Sequence, residues 1–391
     1  MAGALEDIRV LDFTRVFAGP FCTLHLAELG AEVIKVEIPQ GGDSIRYDPP
    51  RTKGGEGGIF VDLNRGKKSI TLNLTSDKGR QICRRLAQRV DVLVENFSPR
   101  VMGKLGLTYE DLSPLNPGLV YASLSGFGHT GPYSARPAYD PIAQAMGGFM
   151  TLTGAPDGPP QLAGIALGDY VPGLYTAIAI LAALHHRGCT GQGQYIDISM
   201  QDCVFHTTAV EKMPRYYLAG EKPARQGNRS QVYRARDGHL IISVGNIGQW
   251  NNFLRVIERE DLIGVEKYST WNQREAHFDE LLPIIEHWTT ERDVGDIVAI
   301  LSDAHLPCSP IPSYEEALSD RQLASRDMYV EVEQVVSGKV RVPGSPFKLS
   351  ATPGNPTRPA PFLGEHNFEV YSELLGFGEE ELTALADEGI V

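Results

Sequence analysis

The six residues from Gly126 to Gly131, GFGHTG, have the GxGxxG spacing of a turn that cradles phosphates, and they follow an apolar stretch with the character of a strand. A dinucleotide fingerprint must also open a helix whose N-terminus holds the pyrophosphate. Here Pro132 and Pro137 interrupt that helix, and no acidic residue ends a strand about 20 positions on. The segment therefore reads as a turn-rich loop. No GxSxG elbow, Walker loop or HExxH helix occurs, which removes the commonest serine hydrolase, ATPase and zinc protease chemistries. His185 and His186 are adjacent rather than a helical turn apart, so they suit a helix end beside Arg187 better than a metal. Cys22, Cys83, Cys189, Cys203 and Cys308 are widely spaced and include no CxxC pair, so neither a zinc site nor a disulfide framework is expected and no metal is assigned. Asp169, in ALGDY, stands just before an apolar helix, and its position alone makes it a helix cap.

The elements that must position such residues read as α/β. Ile8 to Phe13 and Glu32 to Glu37 are strands around a helix across Pro20 to Leu29, which Gly30 stops. Ile70, Leu72 and Leu74 alternate as one strand face, Ile82 and Leu86 share a helix face, and Val90 to Glu95 is a nearly continuous apolar strand. Ser98 and Pro99 suit the cap and first position of a further helix. Strands Leu119 to Ser125 and Tyr195 to Met200 extend the pattern to an open, mostly parallel, Rossmann-like sheet, whose ligands sit at the strands' C-terminal ends. Asn96 and Phe97 are thereby candidates for a binding rim. The expected division is a large domain over 1–219, a linker over 220–231 and a smaller α/β domain over 232–325. An extended return segment over 326–391 then leads back to the large domain.

With 42% hydrophobic and 22% charged residues among 391, the chain can bury enough apolar surface to fold. Its net charge of −13 repels a polyanion, so nucleic acid is not an expected partner. The first residues lack the basic and apolar regions of a secretory signal. The longest apolar helix candidate, Tyr170 to Leu184, is shorter than the roughly 20 residues that cross a bilayer. A cytoplasmic protein without a membrane partner is the expectation.

From Pro137 to Asp202 the resemblance becomes specific. PAYDPIAQAMGG, DGPP, ALGDY and TGQGQYIDISMQD resemble the class III CoA-transferases, the CaiB/BaiF family, and within it the formyl-CoA transferases and related acyl-CoA:carboxylate CoA-transferases. LDFTRVFAGPFCT, GAEVIKVE, NRGKKSITLNL and DVLVENF are similar to that family in the same order, and VGNIGQ and LPCSPIPSYEEAL resemble its smaller domain and tail.

The resemblance implies transfer of coenzyme A, a sulfur-containing group, from an acyl-CoA such as succinyl-CoA or formyl-CoA to a small carboxylic acid. Asp169 is then the nucleophile, through acyl-aspartyl anhydride and aspartyl-CoA thioester intermediates. A carboxylate with a reference pKa near 3.9 is ionised at neutral pH and needs no base for this attack. No cofactor is bound permanently; the CoA thioester is substrate. The matching CoA-binding positions are Phe17 and Ala18; Leu72, Asn73 and Thr75; Asn96, Phe97 and Ser98; Lys104; and Arg136 and Tyr139. Gly245, Gly248 and Gln249 match a loop that closes over the reacting aspartate. Formyl-CoA transferases carry Gln where Phe17 stands and Arg where Ile38 stands. An interlocked homodimer is also implied.

Two other functions fit the same fold. An α-methylacyl-CoA racemase needs two proton-transfer groups about the α-carbon, and racemases carry His where this chain has Tyr139, a poor base at neutral pH. A catalytically silent CoA-binding protein would not need Asp169.

Overall fold

A computed structural model of the protein describes residues 3–225, 231–354 and 358–391. Its contacts separate two units: one of residues 1–151, 161–223 and 324–391, the other of residues 152–160 and 224–323. The segment 152–160, placed in the large domain from sequence, thus groups with the second unit, and residues 226–230 of the expected linker lie outside the described residues.

The first unit is built on six parallel strands in the order β3-β2-β1-β4-β5-β6. In chain order its elements are β1 (Arg9–Asp12), α1 (Ala18–Glu28), β2 (Glu32–Glu37), α2 (Gly58–Asn64), β3 (Lys68–Thr71), α3 (Asp77–Ala87) and β4 (Val92–Glu95). Then come α4 (Val101–Leu105), α5 (Tyr109–Leu112), β5 (Val120–Ser125), α6 (Asp140–Met146), α7 (Phe149–Leu152), α8 (Leu167–Thr190), β6 (Tyr195–Ser199) and α9 (Met200–Ala219). Successive strand side chains point to opposite faces, and here both faces are covered. Leu11, Ile34, Ile70, Leu93 and Tyr121 enter one core with α3 and the C-terminal residues, whereas Val10, Val33, Val92, Val120 and Ala122 enter another with Cys22 and Leu26 of α1 and Ala177, Ile180 and Ala183 of α8.

Three expectations are corrected. Leu72 and Leu74 do not continue β3, which ends at Thr71; Leu72 N–H still bonds Glu37 O, and the chain then turns at Asn73. Ser98 and Pro99 do not open a helix, because α4 starts after Arg100, whose left-handed φ of 79° inserts a turn first. The apolar helix is not short. α8 runs for 24 residues to Gly191, whose φ of 75° caps it, and is long and apolar enough to cross a membrane by length and composition. Its buried stripe of Pro172, Gly173, Thr176, Ala177, Ile180 and Ala183 serves as the spine of the core. A side chain at Gly173 would meet Ala18 O at 2.8 Å, so glycine permits the close approach to α1.

The second unit holds an antiparallel sheet of β7 (Val232–Arg234), β8 (His239–Ile242) and β9 (Cys308–Pro310). Packed around it are α10 (Ile247–Val256), α11 (Trp271–Ala276), α12 (Phe278–Thr289) and α13 (Val294–Asp303). Its core is almost wholly apolar, from Leu240 and Ile242 to Phe253, Ile285 and Leu301. After α14 (Tyr314–Ala317) and α15 (Arg321–Ser325), the first unit resumes with the hairpin β10 (Tyr329–Gln334) and β11 (Gly338–Pro343) and with helices α16 (Asn367–Leu375) and α17 (Glu379–Asp387).

Candidate active site

The strand order reverses between β1 and β4, and in such sheets the crevice outside the strands' C-terminal ends at that point is where ligands bind. A cleft of about 320 Å³ lies there. The loops after β1 and β4 supply Arg15 to Ala18 and Asn96 to Pro99, the end of β5 supplies Ser125 and Gly126, and Arg136 to Tyr139, Asp169 and Met200 close it. Eight residues singled out in the sequence therefore line one cavity: Phe17, Ala18, Asn96, Phe97, Ser98, Arg136, Tyr139 and Asp169. Leu72, Asn73, Thr75 and Lys104 do not line it. Leu72 is in the core, Asn73 Oδ1 accepts from Thr75, and Lys104 is exposed on α4.

The first wall is held by buried charge. Lys35 Nζ, within β2, donates to Asp43 Oδ2 at 3.0 Å and to Thr14 O at 2.8 Å. Asp43 in turn accepts Val16 N–H at 3.2 Å through both oxygens. Lys67 Nζ donates to Asp12 Oδ2 at 3.0 Å and to Thr23 Oγ1 at 2.7 Å. Burial alone would raise the Asp12 carboxyl, but Lys67 and Lys35, with hydrogen bonds from Thr14 and Thr23, together outweigh it and hold the group below the ordinary carboxylate range. Asn96 does not offer its amide to the cleft: Oδ1 accepts Arg15 N–H at 2.8 Å and Nδ2 donates to Arg15 O at 2.9 Å. These bonds fix Val16 at φ 65°, a conformation that costs a β-branched residue about 1–3 kcal/mol and that persists only where the surroundings over-determine it. The other rim is fixed by Glu95, whose Oε2 accepts Phe97 N–H at 2.8 Å.

The second wall carries Asp169, which is the third residue of α8 rather than its cap; Ala166 is the N-cap. Asp140 Oδ1 accepts Gly168 N–H at 2.7 Å and Gln144 Nε2 at 2.9 Å, and Gln144 Oε1 accepts Ala163 N–H at 2.9 Å. One turn of α6 thus clamps both ends of the approach to Asp169. A side chain at Gly168 would meet Asp140 O at 2.6 Å, so glycine is required there. Neither Asp140 nor Asp169 takes part in an ion pair among the described residues. Burial, followed by the nearby charge of Asp140, pushes the Asp169 carboxyl up to about 7. That corrects the expectation of a fully ionised carboxylate: the helix N-terminus does not offset desolvation and a like charge.

His129, from the GFGHTG loop, does not line this cleft. Its Nε2 lies 2.7 Å from Ser123 Oγ, and its N–H donates to Asp197 at 3.0 Å. It faces a neighbouring cavity with Glu95, Tyr109, Tyr121 and Tyr195. Gly245, Gly248 and Gln249 belong to the second unit, where Asn246 caps α10 and Gln249 Oε1 accepts Gly245 N–H at 3.2 Å. Arg274 donates to Val244 O at 3.1 Å and Gly245 O at 2.6 Å beneath that loop.

Residues 5–367 match the sequence profile of CoA-transferase family III. The chain belongs to that family. It is 39% identical over 386 residues to the succinyl-CoA:mesaconate CoA-transferase of Haloarcula marismortui, covering 95% of this chain and 96% of the relative. To the formyl-CoA:oxalate CoA-transferase of Streptomyces coelicolor it is 37% identical over the whole of both chains. A crystal structure of a CaiB/BaiF family protein from Brucella suis superposes with a TM-score of 0.84 at 36% identity, covering 96% of this chain and 100% of the other. This family III CoA-transferase is thus an enzyme whose named relatives move CoA between acids.

Proposed function

We propose that this enzyme transfers CoA from an acyl-CoA to a small dicarboxylate through covalent intermediates on Asp169. An Asp169 oxygen attacks the thioester carbonyl, the carbonyl electrons collapse back and the CoA thiolate leaves, giving an acyl-aspartyl anhydride. The thiolate then attacks the aspartyl carbonyl, releasing the first acid and leaving an aspartyl-CoA thioester. The acceptor carboxylate attacks that thioester, the anhydride forms again with the new acyl group, and the thiolate recaptures that group to free Asp169. The observation that carries the reading is the position of Asp169 in the cleft at the reversal of strand order, beside the loops that the family resemblance assigns to CoA. Mesaconate and oxalate, named in the relatives, favour a dicarboxylate acceptor. A racemase finds less support, because none of the described residues lining the cleft is a histidine.

The test is mass spectrometry after incubation with succinyl-CoA, with a panel of acceptor acids. Wild type should gain an acyl or CoA adduct on Asp169 and form new thioesters, and Asp169→Ala should lose at least about 10³-fold in rate, or ~4 kcal/mol. Exchange of an α-proton with no adduct would move the assignment to the racemase. The same spectra under native conditions should read two chains, since Ile178 on α8 and Phe205 and Val210 on α9 stand 61%, 51% and 67% exposed and suit a second copy.

A further inference from the structure

Buried hydroxyls find partners, and one left without a partner in a cavity wall has hydrogen-bonding capacity to spend on a ligand. Among the described residues, the buried side-chain polar atoms with no partner are Arg65 Nε, Asn251 Oδ1 and Ser125 Oγ. Of these three residues only Ser125 lines the cleft. It is the last residue of β5, is 5% exposed, and pairs in register with Ser199, which precedes the cleft residue Met200.

The local packing ties Ser125 to the side of the cleft that carries Asp169. Its neighbour Gly126 lies so close to Ala138 that a side chain there would meet Ala138 Cβ at 2.3 Å. Two residues beyond Ala138, Asp140 holds Gly168, and Gly168 adjoins Asp169. Among its polar neighbours, Asn96 is committed to Arg15, Asp140 to Gly168 and Gln144, and Tyr139 is 71% exposed. A serine hydroxyl turns among three staggered positions about χ1, so the group can meet an acceptor that arrives in the cleft.

We propose that Ser125 is a catalytic residue whose hydroxyl donates a hydrogen bond to the thioester carbonyl oxygen of the acyl-CoA as Asp169 attacks. This rests on the reading of Asp169 as nucleophile. In that step the Asp169 oxygen forms a bond to the carbonyl carbon, and the carbonyl π pair moves onto oxygen. Ser125 stabilises the resulting oxyanion and keeps its own proton. The pair then returns and the C–S bond breaks to the thiolate. A donor that bonds only the developing charge lowers the barrier without tightening the ground state.

Single-turnover mass spectrometry with succinyl-CoA tests it, following adduct formation on Asp169 in wild type, Ser125→Ala and Ser125→Thr, with a thermal melt of each. Ser125→Ala should form the adduct about 10²-fold more slowly, with KM for succinyl-CoA within about twofold and a melting temperature no lower than wild type, because no bond of the free protein is lost. Ser125→Thr, which keeps the hydroxyl, should recover part of the rate. An unchanged adduct rate in Ser125→Ala overturns the proposal, as does a loss confined to KM or one matched by a fall in melting temperature. If wild type forms the adduct at the same rate as Ser125→Ala, this inference alone falls; if wild type forms none, the reading of Asp169 falls with it.

Discussion

The two walls of the cleft set Asp12 and Asp169 in opposite electrostatic surroundings. On the side of β1 and β2, Asp12 and Asp43 each face a lysine that is itself fully buried, and the Asp12 carboxyl is held low. On the side of α6 and α8, Asp140 and Asp169 face each other without a cation, and the Asp169 carboxyl is pushed up to about 7. Desolvation raises both carboxyls and acts on Asp12 in the deeper site, yet only Asp12, beside its lysines, ends low; the counterion decides. The paired wall is a scaffold, able to hold Val16 in a strained backbone conformation, and the unpaired wall keeps a carboxylate poorly satisfied and therefore reactive.

Removing the scaffold's pairing should have the larger effect. Asp43→Ala leaves buried Lys35 with Thr14 O as its remaining hydrogen-bond acceptor and frees Val16 N–H, so a loss of about 3–5 kcal/mol in denaturant unfolding is expected at neutral pH. KM for the acyl-CoA should rise as the loop loosens. A loss below about 1 kcal/mol, the range of an exposed pair, would mean that this wall does not depend on its ion pair.

Removing the unpaired wall's second charge is gentler. Asp140→Asn keeps an oxygen to accept Gly168 N–H but deletes the negative charge, so the pKa of Asp169 should fall from its raised position. The carboxylate is the attacking form, and the acid limb of kcat/KM, which reports the free enzyme, should therefore move to lower pH by up to about one unit, or ~1.4 kcal/mol. A limb that stays in place or moves to higher pH would show that Asp140 acts only by shape.

The sheet was legible because its strands alternate into two buried faces, and Asp169 because ALGDY sits in a resembling run of motifs. The support of Asp169 was less so. Asp140 and Gln144 have the i, i+4 spacing that puts them on one helix face, a signal present in PAYDPIAQAMGG, but which backbone groups they clamp depends on the fold. The burial of Lys35 in β2 and of Lys67 just before β3 was not read from the sequence, because the partners come only with the chain's turn at Asp43 and its return from α2. The misjudged ends of β3, α4 and α8 reflect how weakly local sequence marks boundaries that a single left-handed residue, such as Arg100, can shift. Nothing in the sequence distinguishes Ser125 from other strand serines.

The crossover from β5 to β6 contains α6 and α8, so Asp169 and its clamp reach the loops after β1 and β4 only by contacts distant in the chain, whereas Ser125 stands on the central sheet. During folding, the loops after β1 and β4 can form once the central strands pair, whereas the reactive wall must wait for that long connection to close. Adduct formation on Asp169 should accordingly be lost at lower denaturant than the helical signal, and coincident loss would show instead that the whole sheet and its crossover break as one cooperative unit.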